Sequence, residues 1–214
     1  KALFLIFHGL NPANGISKKI YYQVNALRAC GIDTRLCYLN ESNGRKLRMI
    51  DSEVLQDYGA GSRENTEKEE YSSIVEYAKK ENISFIYMRS DHNANPFTIH
   101  MVHQCVKRDK VVMEIPTYPY DQEYIGFSRR KLLFIDQCFR HSLAKQLCGI
   151  VTFSDYKTYS AFPLYKYRTA LTSRKLIETT GQRYKQGTSP KGVAEIHYWH
   201  GFDRLVKGLA DYYD

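Results

Sequence analysis

In NPANGISKKIYYQVNALRACG, Asn14 and Gly15 stand directly before a helical run whose first turn carries Ser17, Lys18 and Lys19. A helix start offers unpaired backbone N–H groups and the positive end of the helix dipole, so two lysines beside it build a site for phosphate or another anion. The same residues also suit a plain helix start, with Asn14 or Ser17 capping and the lysines solvated. A second string, EIPTYPYDQEY at 114–124, ends an apolar strand run on Glu114 and continues with two prolines and three tyrosines. Prolines stiffen such a loop, the carboxylate can accept hydrogen bonds from sugar hydroxyls, and tyrosine faces can stack on sugar rings or line an acyl chain. The alternative is a rigid, well-packed loop with Glu114 paired to Arg89.

Of the seven histidines, His100 and His103 lie three apart on a predicted helix, but no third ligand is in evidence, so no metal site is expected. His8 and His200 each end a predicted strand beside a loop and are the better functional candidates.

The elements that must position these residues follow from periodicity. Apolar runs near 2–9, 33–40, 83–90, 110–116 and 149–155 read as strands, separated by helical stretches near 16–30, 66–82, 96–108 and 129–147. Short alternating runs in RKLRMIDSEVLQDYG suit a hairpin insertion. This alternation predicts an α/β fold with a doubly wound parallel sheet, whose ligands sit at the carboxyl ends of the strands. The loops HGLNPANG, RSDHNANP, EIPTYPYDQEY and FSDYKT occupy those ends.

With 214 residues there is room for one sizeable α/β core, or one domain and part of another. The formal charge of +8 suits nucleic acid, an anionic membrane face or phosphate-bearing substrates. No RNP-like, zinc-finger or helix-turn-helix pattern accompanies it, so no nucleic acid partner is expected. No apolar run reaches the roughly 20 residues of a spanning helix. Five scattered cysteines without a CxxC pair read as buried free thiols of a reducing compartment. Together these predict a cytoplasmic location, with peripheral attachment to an anionic membrane face as an option.

Taken in order, NPANGISKKI, VVMEIPTYPYDQE, IVTFSD and GVAEIHYWHGFDRLVKGL resemble bacterial family 4 glycosyltransferases of surface polysaccharide assembly. The resemblance covers about residues 1–158 and 192–214. It implies a GT-B architecture: a Rossmann-like acceptor domain over 1–155, an irregular connector over 156–191, and at 192–214 the first strand, loop and helix of a donor domain. It further implies metal-independent transfer, with retention, of a sugar from a nucleotide-sugar to a lipid-linked or polysaccharide acceptor, and no cofactor. On this reading Asn14, Gly15, Ser17 and Lys18, with His200 and Arg204, bind the donor diphosphate, while Asp91, Glu114, Thr117, Tyr118, Tyr120 and Asp121 bind the acceptor. Two features depart from the family. A lysine is more usual than His200 before the glycine of the last motif, and no two glutamates stand eight positions apart, where the family keeps its donor-sugar pair. The isolated chain is therefore expected to be inactive, which leaves a saccharide- or membrane-binding remnant as the alternative.

The connector has no clear period. A family-like continuation, IFGIPTIQISNGIDF, read one nucleotide out of register yields Tyr159 to Ser173 in full, so a shifted reading frame is expected up to somewhere before Gly192. Such a segment has no reason to carry a matching apolar face and is expected to pack poorly.

Overall fold

The computed structural model describes residues 1–166 apart from positions 12, 61–62, 90–93, 106–110 and 155. The rest of the connector, the donor-like unit with His200 and Arg204, and Asp91 lie outside the described residues.

Strand β1 (Ala2–Leu5) is buried at every position, as a central parallel strand covered on both faces must be. Helix α1 (Gly15–Ala29) starts on Asn14, whose Oδ1 accepts from the Ile16 N–H, and buries Ser17, Ile20 and Val24 along one stripe. Gly31, at φ 80°, carries the chain out of it. β2 (Thr34–Ser42) and β3 (Arg45–Ile50) form a hairpin whose two turn residues, Asn43 and Gly44, both have positive φ, the backbone a two-residue turn between twisted strands requires. β4 (Glu53–Asp57) completes the inserted meander. Then follow α2 (Arg63–Lys80), β5 (Phe85–Arg89), α3 (Pro96–Cys105), β6 (Val111–Ile115), α4 (Phe127–Ala144) and β7 (Gly149–Thr152).

The strand order is β4-β3-β2-β1-β5-β6-β7-β9-β8, where β8 is Thr158–Tyr159 and β9 is Phe162–Lys166. From β2 to β9 every neighbouring pair is parallel. The chain moves outward from β1 to β2 and then returns to β5 on the other side of β1, so the carboxyl ends of β1 and β5 flank a topological switch point. Helices α2, α3 and α4 touch in sequence on one face, and α1 packs by β2 on the other. Each face has its own core. Leu3, Leu5, Met88, Met113 and Ile150 belong to the larger, and Phe4, Ile6, Ile20, Val24 and Leu36 to the smaller beneath α1.

Two features differ from those expected of the sequence. The sheet runs past position 155, because residues placed in the irregular connector form β8 and β9. Tyr159, Phe162 and Leu164 supply the apolar face that a shifted frame was expected to lack, so poor packing does not hold over 159–164. And only Cys37 and Cys105 are buried, the Cys105 thiol pushed up to about 12 by burial, whereas Cys30, Cys138 and Cys148 are exposed.

Candidate functional site

Alternation along β6 turns Met113 and Ile115 into the larger core and Glu114 to the α1 face, where it is wholly buried. Four groups donate to it. Tyr87 Oη and Gln23 Nε2 reach Oε2 at 2.7 and 3.0 Å, and Arg89 Nη1 and Lys19 Nζ reach Oε1 at 3.1 and 3.4 Å. Lys19 also lies 3.4 Å from the centre of the Phe153 ring, just beyond β7. The carboxylate thus ties α1 to β5 and β6 near their carboxyl ends, beside the switch point.

One carboxylate faces two cations, so the cluster carries an excess positive charge. Burial lowers the Lys19 pKa, Arg89 lowers it further, and Glu114 opposes both. Burial likewise lowers Arg89 against the pull of Glu114. Lys19 keeps 24% of its side chain exposed, whereas Glu114 is wholly buried. Gly15, Lys19 and Gln23, spaced four apart, form one stripe of α1. A methyl group on Gly15 would meet nothing within 4 Å, so the helix start is open at this position. The fold makes no demand for glycine at this position. Gly15→Ala is expected to leave the urea midpoint unchanged or raised, alanine being the better helix former, and to weaken pyrophosphate binding several-fold in calorimetry. Unchanged affinity would place the anion away from this turn.

The other expected donor-site residues have different tasks. Ser17 is buried, and its Oγ accepts the Asn11 N–H at 2.9 Å, shaping the loop before α1. Asn14 spends its Oδ1 on the helix cap, and Lys18 is exposed one position around the helix from Lys19.

The proline-tyrosine loop belongs to a second cluster, on the α4 side. Asp136, wholly buried, accepts from the Ala94 N–H at 2.6 Å, Tyr120 Oη at 2.9 Å and Arg140 Nε at 2.5 Å. Arg140 Nη2 donates to Asp121 at 2.5 Å, and its guanidinium lies 4.5 Å from the Tyr120 ring centre. Tyr120 and Tyr159 hydroxyls meet at 3.1 Å, and Tyr118 packs edge-on against Tyr120, Tyr156 and Tyr159. Burial raises the Tyr120 pKa far above the ordinary phenol range, which keeps its proton on the bond to Asp136.

Expected acceptor ligands are therefore divided. Glu114 makes the ion pair with Arg89, Tyr120 is a packing and hydrogen-bonding residue at 1% exposure, and Asp121 is bound to Arg140. Tyr118 is half-buried, and Thr117 is exposed at the carboxyl end of β6. His100 and His103 are both exposed, and among the described residues no group of three His, Cys, Asp or Glu side chains is set to hold a metal ion.

No protein-family model, curated protein or solved structure matches the chain.

Lys18 is the lysine expected from the sequence, and Lys19 is the one that faces Glu114: four residues from Gly15 to Lys19 and four more to Gln23 point all three the same way, and residue 18 points about 100° aside. Tyr87 could have been found from alternation, since it shares a sheet face with Arg89.

Proposed function

We propose that this chain binds a nucleotide-sugar diphosphate at the Lys19–Arg89–Glu114 cluster and forms the acceptor-side half of a glycosyltransferase acting on a lipid-linked or polysaccharide acceptor. The observation that carries the reading is a cation-rich cluster beneath an open helix start at the carboxyl ends of a doubly wound sheet. The sequence resemblance supplies the reaction type. In a transfer with retention the leaving diphosphate gains negative charge as the glycosidic bond breaks, and fixed cations with helix-end N–H groups stabilise that charge most in the transition state. Glu114 holds Lys19 and Arg89 in place before the ligand arrives, so little reorganisation is needed. Buried Gln23 Oε1 has no hydrogen-bond partner among the described residues.

Calorimetry with UDP, GDP and their sugar conjugates tests this reading. Binding is expected, with Lys19→Met weakening it about 10- to 100-fold, the range of a charge-assisted hydrogen bond. Absence of binding, or equal binding by the variant, would remove the cluster from the donor site.

The lowered Lys19 pKa predicts a pH dependence. Its proton leaves at lower pH than from an ordinary lysine, so diphosphate affinity declines as pH rises while still below 10.5, the ordinary lysine value. The unfolded chain then holds more protons at this position than the folded one, so the Lys19 contribution to stability rises with pH in the same window. Titrating the Lys19→Met variant in parallel subtracts the ionisation of the ligand itself.

A further inference from the structure

The three most exposed large apolar side chains among the described residues are Phe127 at 76%, Phe134 at 66% and Ile125 at 65%. All lie in the amino-terminal half of α4 or just before it, away from the Glu114 cluster. The helix buries Asp136, Arg140, Leu143 and Ala144. Phe127, Lys131 and Phe134, at spacings of four and three, share the opposite, outward stripe. Apolar residues on a solvent face at this density mark a surface made to be covered.

The charges around them identify the cover. Arg129, Arg130 and Lys131 are consecutive and exposed, and among the described residues no carboxylate forms an ion pair with any of them. Lys131 Nζ lies 4.8 Å from the Phe127 ring centre, so cation and ring present together. Arg130 also borders an open groove of about 460 Å³ with Tyr124, Ile125, Leu133 and Phe134. Asp121, the acid in that groove, is paired with Arg140, which it shares with the buried Asp136. Protruding rings interleaved with cations on one helix face match the interface between acyl chains and anionic headgroups, where rings enter the apolar layer and cations stay at the phosphate level. Among the described residues no helix is long and apolar enough to cross a membrane, so this contact is peripheral.

We infer that the amino-terminal half of α4, with Ile125, is a docking face for an anionic lipid bilayer. The inference does not depend on sugar transfer and would stand if nucleotide binding failed.

Vesicle co-sedimentation of the whole chain tests it, using phosphatidylcholine alone and phosphatidylcholine with phosphatidylglycerol. The chain is expected on the anionic vesicles only, and to leave them as salt is raised. Replacing Arg129, Arg130 and Lys131 by Gln is expected to weaken binding on the order of 100-fold, at about fivefold per cation. Phe127→Ser with Phe134→Ser should also abolish retention without moving the urea midpoint, because both rings are already in solvent. No binding by the wild type, equal binding to neutral vesicles, or a triple-Gln variant that binds like wild type would overturn the inference. Self-association that the double Ser variant abolishes, without vesicle binding, would assign the face to a second copy of the chain and overturn it equally.

Discussion

Asp136→Ala is expected to cost about 3–5 kcal/mol of folding stability, the usual cost of removing one partner from a buried ion pair. The carboxylate holds together segments far apart in sequence: the Ala94 N–H before α3, Tyr120 in the β6–α4 loop and Arg140 one helical turn on. Its removal leaves the Ala94 donor unsatisfied and deprives Tyr120 and Arg140 of an acceptor each, although Tyr159 and Asp121 remain to them. Against a typical total of about 5–15 kcal/mol this is a large fraction. Urea unfolding reads it as a lowered midpoint. A cost under about 1 kcal/mol would mean that the network does not hold the loop. Tyr120→Phe removes one hydroxyl and should cost less, about 1–3 kcal/mol.

Glu114→Gln keeps the shape of the first cluster and removes its single negative charge. Lys19 and Arg89 then face each other without a counter-charge in a site where burial already lowers both pKa values. A loss of about 3–5 kcal/mol is expected. The variant also makes a prediction that a purely structural ion pair does not. Pyrophosphate replaces the missing charge, so the ligand should raise the Tm of Glu114→Gln more than that of the wild type, through preferential binding to the folded state. Thermal melts with and without pyrophosphate measure the difference. Equal shifts would show that the two cations do not meet the ligand.

Much of the architecture was readable from local pattern. The fully apolar ALFL required a strand covered on both faces, and alternating strand and helix periods gave the parallel core and its carboxyl-end loops. β9 was not readable. Its FPLYK opens with Phe and Pro and has little alternation, and it is a strand because the ladder of β7 offers it partners at Leu164, Tyr165 and Lys166. The proline-tyrosine loop stood out by composition, but its composition could not tell a ligand platform from a packed loop. That difference lies in Asp136 and Tyr159, 16 and 39 residues away from Tyr120, which take its hydroxyl into the interior. The pairing of Glu114 with Arg89, by contrast, follows from register, since the two residues are opposite each other across β5 and β6.

The most direct test of the account is an amide NMR titration of the whole chain with UDP. If the diphosphate sits above the Lys19–Arg89–Glu114 cluster, the largest shifts fall on the Gly15 and Ser17 backbone N–H groups and the Gln23 side-chain amide, and reach their midpoint in Lys19→Met only at about 10- to 100-fold more UDP. Shifts confined to other parts of the sheet, or a midpoint unchanged in the variant, would contradict it.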